Sequence, residues 1–244
     1  MVYPLKIKRT NQKSVAIGFE YLGAGLAMKV NYQLQDKFLH EFFTTAFARD
    51  FYLTGGTALA RFYFHHRVSV DLDLFTNNQK IDFDAVNAAI RRIMAKLKLK
   101  PDKAVMTDTF LQYIIDSPGP LKVDLVKDIP VHFGKNLIKG RIAVDSLINL
   151  ATNKILAIFG RIDPKDFIDL FFILEKTKLE FDELFTLAKQ KDLGLTELYF
   201  SFSIDKFLQT KILPPILVSF NKRRFYKFYQ DLLRTLLKRI KPAE

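Results

Sequence analysis

The sequence predicts an α+β protein, with strands and helices intermixed over about residues 1–135 and a mainly helical part over 136–244. Three observations predict it. Val70-Asp71-Leu72-Asp73-Leu74-Phe75 opens with strict apolar–polar alternation, the two-residue period of a strand with one buried face. Apolar residues recur at helical spacing from about Gln33 to Ala48, and a further helix is expected from Phe83 to Leu97. After Pro130 the character changes to mostly helix.

Taken in order, residues 1–30 carry no clear period. Leu34, Phe38, Leu39, Phe42, Phe43 and Ala46 make the apolar stripe of a first helix. Phe51-Tyr52-Leu53 is a short strand running into Gly55-Gly56, with a short helix expected from Thr57 to about Tyr63. In the strand at 70–75, Val70, Leu72 and Leu74 point one way, and Asp71 and Asp73 the other. Strands near Phe110–Ile115 and Leu121–Val126 flank Ser117-Pro118-Gly119-Pro120, a strong turn signal. One helix covers about Ser146–Phe159. The next starts with Asp163 as N-cap and Pro164 at the first helical position, where a missing N–H costs nothing. Further helices follow, broken near Gly194 and at Pro214-Pro215.

The composition bounds the function. The chain has 244 residues, 38 Lys+Arg against 26 Asp+Glu, and a formal net charge of +12, so RNA, DNA, nucleotides and anionic membranes are all candidate partners. Solubility alone is the bland reading of that charge. The absence of cysteine excludes disulfides and thiolate metal sites. There is no signal-peptide core and no run of eighteen apolar residues, so a cytoplasmic protein with no membrane partner is expected. The 24 Phe and 9 Tyr read as core in a chain without Trp.

The chemistry centres on Asp71 and Asp73. Two carboxylates at i and i+2 on a strand share a face, with Cβ atoms roughly 7 Å apart. Both then reach one or two divalent cations, and Mg²⁺ (or Mn²⁺) favours a few carboxylates together with substrate phosphate oxygens. A bare D-x-D is more often a solvated strand edge. Here it stands downstream of Gly55-Gly56, where backbone N–H groups at a strand-to-helix turn can approach a phosphate unobstructed. Thr57 can add a hydroxyl, and Arg67 and Ser69 lead into the strand.

The segment GGTALARFYFHHRVSVDLDLF, residues 55–75, resembles the signature of the AbiEii/AbiGii-type nucleotidyltransferases, toxin components of abortive-infection and toxin–antitoxin systems within the polymerase-β-like superfamily. The glycine turn and D-x-D strand of that superfamily map onto Gly55, Gly56, Asp71 and Asp73, and an Arg-x-Ser-x-Asp lead-in onto Arg67, Ser69 and Asp71. The resemblance implies a polymerase-β-like core of mixed sheet and helices, completed by the helical C-terminal part. It also implies a third acid from a neighbouring strand, for which Asp124 in Leu121-Lys122-Val123-Asp124 is the candidate; a strand-face Asp turned to water is the alternative.

Lys154 is out of place by spacing alone. It falls seven residues after Leu147, on the side of Leu150, Ala151, Ile155 and Ile158, so it must snorkel outward or meet an anion. Arg161 follows by another seven. Asp166, three residues past its N-cap, either complements the helix dipole or is paired. Asp169 amid Phe167-Ile168 and Leu170-Phe171-Phe172 calls for a buried partner, Lys154 or Arg161. The family resemblance extends to Lys154, Ala157, Arg161, Lys165, Asp166, Asp169 and Leu170, and implies that the lysine contacts nucleotide phosphates.

Near the C-terminus, Phe225, Tyr229, Leu232, Leu233, Leu236 and Ile240 form one side of an amphipathic helix. The other holds Arg223, Lys227, Arg234, Lys238 and Lys241, either a solvated face or an RNA-backbone contact. His40, His65, His66 and His132 lack metal-ligand spacing, and His65-His66 reads as surface loop. The expectation is an NTP held on the Gly55-Gly56 turn, with Thr57, Arg67, Ser69, Lys154, Arg161 and Asp169 around the nucleotide and Asp71, Asp73 and Asp124 on the metal. The resemblance implies an RNA acceptor, the tRNA 3′ end, and a cognate antitoxin as partner. Modification of a protein or small molecule, and a catalytically silent RNA- or partner-binding module, are the competing readings.

Overall fold

Local sequence signals set the ends of most elements in the computed structural model, which describes residues 30–116, 120–210 and 212–240. Helix α1 is Tyr32–Phe42, capped by the Asn31 side chain accepting from Leu34 N. Strand β1 (Tyr52–Thr54) runs straight into α2 (Gly55–Ala58), which continues as a π-helical turn over Leu59–Tyr63. Strand β2 (Asp71–Thr76) leads to α3 (Phe83–Lys96), capped by Asp82. Strands β3 (Lys103–Met106), β4 (Phe110–Ile115), β5 (Leu121–Lys127), β6 (Leu137–Lys139) and β7 (Ile142–Val144) follow. Helices α4 (Leu147–Gly160), α5 (Pro164–Lys176), α6 (Phe181–Lys191), α7 (Glu197–Leu208) and α8 (Lys222–Arg239) complete the chain. Ser146 caps α4. Asp163 caps α5 with Pro164 in its first turn, as the sequence predicts.

Among the described residues seven strands form one mixed sheet in the order β3-β4-β5-β2-β1-β7-β6. The β2–β5 and β1–β7 pairs are parallel and the others antiparallel. Three of these strands escape the sequence reading. β3 is exposed at all four positions and so shows no burial alternation, while β6 and β7 are too short for a period to register. The last two join the sheet from beyond residue 135. The turn read at 117–120 has Ser117, Pro118 and Gly119 outside the described residues, as are residues 1–29 and Lys241.

Burial on β2 alternates as its sequence does: Leu72 and Leu74 are fully buried while Asp71 and Asp73 are half-buried. The apolar face of the sheet packs with α1 and α3 in a core that includes Phe38, Phe42, Val86, Ile90, Val123 and Leu125. α4 packs on α5, α6 and α7, and α7 on α8. The phenylalanines serve this core: Phe167, Phe207, Phe225 and Tyr229 form one buried aromatic cluster, and the Tyr229 hydroxyl donates to Phe167 O at 2.6 Å.

Candidate active site

The sheet register brings the acids together. Thr54 of β1 lies opposite Asp73, Asp73 opposite Asp124, and Asp124 opposite Gln112, one row across four strands. Two residues along, Asp71 lies opposite Lys122. Asp71, Asp73 and Asp124 thus rise from adjacent parallel strands on the face away from Leu72 and Val123. Asp124 is nearly buried, accepting from Gln112 Nε2 at 2.9 Å and Lys122 Nζ at 2.7 Å. It does not face open water, the alternative its position in the strand allows.

Asp73 has the most exacting environment. Burial above all, then the charges of Asp71 and Asp124, pushes its carboxyl up to about 6, against the opposing pull of Lys154 and Lys122. It is packed against the glycine turn. Gly55 sits at φ +69, where side chains are strained, and a Cβ there would lie 3.0 Å from Asp73 Cγ with Oδ2 closer still. A Cβ on Gly56 would meet Ser69 Oγ at 2.9 Å and Arg67 Cζ at 3.2 Å. The glycines therefore first admit the protein's own side chains: Asp73, Ser69 and Arg67 all press onto this turn. Thr57 is buried, and its hydroxyl donates to the Asp71 carbonyl. That hydroxyl, which the sequence offers as a phosphate donor, here ties α2 to β2. The helix also begins at Gly55 and not at Thr57, because Thr54 already holds the extended N-cap conformation.

Behind the turn lies a closed ionic network. Asp169, with no solvent exposure, accepts from Arg67 Nε (2.7 Å) and Nη2 (2.6 Å), His66 Nε2 (2.7 Å) and Lys154 Nζ (2.7 Å). Lys154 also reaches Asp166 Oδ1 at 2.7 Å, and Arg161 Nε closes on Asp166 Oδ2 at 2.8 Å. Three cations thus meet two carboxylates. Burial opposes both carboxylates, but Lys154 and Arg67 hold Asp169 well below the usual range, and Lys154 and Arg161 lower Asp166. Asp166 is thereby buried and paired, which its dipole reading did not require, and Arg161 partners Asp166 where Asp169 was also considered.

This placement bears on the nucleotide-binding assignments. Arg67, Lys154 and Asp169 are all buried and bonded to one another, so in this structure they brace the site from behind. The charge of Lys154 still reaches the acids, since both it and Arg161 interact with Asp73. His66 corrects the surface-loop reading. It is fully buried, and burial lowers its pKa, so the neutral ring donates through Nε2 to Asp169. His65, beside it, is exposed with φ 52.

Sequence reasoning also missed Asp145 and Lys122. Asp145, fully buried, accepts from Thr54 Oγ1 at 2.6 Å, Asn149 Nδ2 at 3.0 Å and His132 Nε2 at 3.0 Å, and so anchors the end of β1 just before the glycines. Its only sequence signal is adjacency to the Ser146 cap. Lys122 stands two residues before Asp124, a spacing that places it on the acidic face.

The family model described as "Nucleotidyl transferase AbiEii toxin, Type IV TA system" matches residues 37–243. A crystal structure of a candidate nucleotidyltransferase from H. pylori is similar at TM-score 0.56 and 17% identity, covering 85% of this chain and 93% of that one. The crystal structure of JHP933 from Helicobacter pylori is similar at TM-score 0.54 and 16% identity, covering 85% and 90%. At those identities the likeness is one of fold. No curated protein matches the chain by sequence.

Proposed function

The chain belongs to the AbiEii nucleotidyl transferase toxin family, and from that premise we propose that it moves a nucleoside monophosphate from an NTP to an RNA acceptor, releasing pyrophosphate, as the toxin of a toxin–antitoxin pair. The observation that carries the reading is the row Asp73–Asp124 with Asp71 beside it on parallel strands. Three carboxylates on one face, with Asp73 pushed up by burial and by the charges of Asp71 and Asp124, supply the hard oxygen donors that a divalent cation takes. Asp71, Asp73 and Asp124 would hold Mg²⁺ or Mn²⁺, which neutralises triphosphate charge and favours the ionised acceptor hydroxyl.

The chain's own residues supply position and field. Ser69 Oγ, which lies beside Gly56, would donate toward phosphates brought to the turn. Gln112 holds the Asp124 carboxylate in one orientation, which suits it to position the acceptor hydroxyl beside the metal. Arg67, Lys154 and Arg161 contribute from behind, favouring the negative charge that phosphoryl transfer brings. The net charge of +12 and the exposed basic face of α8 (Arg223, Lys227, Lys238) suit a polyanionic acceptor, and the tRNA 3′ end is the specific proposal. An antitoxin protein is the expected partner. Among the described residues no helix is long and apolar enough to cross a membrane.

The test is transfer from each of the four labelled NTPs, with Mg²⁺, onto total tRNA and in parallel onto total protein. RNA labelling by wild type, lost in Asp71→Asn and Asp73→Asn, is expected. Labelling of protein alone would replace the acceptor, and turnover that survives both substitutions would overturn the catalytic reading.

A further inference from the structure

Lys122 reaches across the acidic row. Its Nζ is 2.7 Å from Asp124 Oδ2 and 4.0 Å from Asp71 Oδ2, and the register sets it opposite Asp71. The side chains of Lys122 and Asp71 keep 35% and 34% exposure, against 12% for Asp124, so the ammonium lies on the solvent side of the row. It differs from the other cations of the site. Lys154 and Arg67 are buried and bonded several times, whereas Lys122 has one close partner and a flexible four-carbon stem leading to water. Among the described residues no group of three or more His, Cys, Asp or Glu converges as a cation cage.

Resting on the metal-dependent reading above, we propose that Lys122 is the site's internal counter-cation, which a divalent ion must displace from Asp124 and Asp71 before the site loads. An ammonium has three protons and no free lone pair, so it cannot act as a ligand to the ion. Two cations a few ångströms apart on the same oxygens also repel. Displacement is therefore required, and its path is open because the Lys122 stem needs only to swing into solvent. The lysine makes loading depend on the prevailing cation concentration and gives the carboxylates a partner until then.

The test needs no turnover. Mn²⁺ is titrated into the purified full chain, and the free-ion paramagnetic resonance signal gives the affinity. K122M is expected to bind about five- to tenfold tighter than wild type, the effect of deleting one half-exposed charged partner. K122R, which keeps a cation, and K100M, which removes an exposed lysine elsewhere, are expected to stay within about twofold of wild type. K122Q repeats the measurement if K122M does not fold. Equal or weaker binding by K122M and K122Q sinks the proposal, and so does equal tightening by K100M, which would make it a bulk-charge effect. Binding by none of the proteins would instead overturn the metal reading itself, and the proposal with it.

Discussion

Gly55→Ala tests the contact on which the site geometry depends. Two costs are separable. The first is backbone strain: Gly55 is at φ +69, and a β-carbon in the left-handed region costs about 1–2 kcal/mol. The second is displacement. The new methyl would lie 3.0 Å from Asp73 Cγ and closer to Oδ2, so the carboxylate must rotate away, at about 0.5–1.5 kcal/mol for an off-rotamer side chain. The sum is about 1.5–3.5 kcal/mol, partly offset by the smaller entropy of the unfolded Ala chain, about 0.4–1 kcal/mol. Gly140→Ala provides the control, since Gly140 has φ +62 and nothing within 4 Å of its Cβ position. It bears the same strain and the same offset without the clash. Thermal melts should place G55A below G140A by about 2–4 °C, the equivalent of about 1 kcal/mol in a chain of this size. Nucleotidyl transfer should fall roughly 100-fold in G55A, the usual consequence of moving a reacting group by about an ångström, and stay near wild type in G140A. Equal melts and equal activities would refute the claim that Asp73 is held against the turn.

Other consequences follow from the buried charges. D169A leaves Arg67 and Lys154 without their shared carboxylate, and should cost about 3–5 kcal/mol in denaturant unfolding; a loss below about 1 kcal/mol would show that the network is not closed in solution. On the acid side, Asp169 and Asp166 have folded pKa values below the ordinary carboxylate range, so their stabilisation is complete above that range and is lost as pH falls through their folded values. Melts between pH 5 and pH 2 should show this loss, and D169N should flatten it. Asp73 acts with the opposite sign, being raised to about 6 in the folded chain. Without divalent cation, stability should decline as pH rises from the ordinary carboxylate value through about 6, and D73N should remove that decline. For the acceptor, replacing Arg223, Lys227 and Lys238 together by Gln should reduce the salt slope of RNA binding, by about one unit for each phosphate no longer neutralised; an unchanged slope would place the RNA elsewhere.

The acidic strand was legible because a half-buried strand must alternate, and Asp71 and Asp73 fall on the polar beat between Leu72 and Leu74. The α5 start was legible for a similar reason, since Asp163 and Pro164 act on adjacent backbone groups. Lys154 and Asp169 were visible as misfits, charges on apolar faces, and a misfit announces that a partner exists. Which partner it is depends on the packing of α4 against α5 and of both against the loop bearing His66 and Arg67. Asp169 is 103 residues from His66 and 102 from Arg67 in the chain, separations that no local period spans.

By itself, then, the sequence determined the strand that carries Asp71 and Asp73, the cap that starts α5, the family and the need to neutralise Lys154 and Asp169. Only the tertiary structure decided that Asp124 stands in register with Asp73, that Lys122 covers the acids, and that the glycines make room for Asp73, Ser69 and Arg67. The physical reason is range. Periodicity and capping report interactions within a turn or a pleat, whereas sheet register and ion pairing are settled between segments that meet only when the core closes.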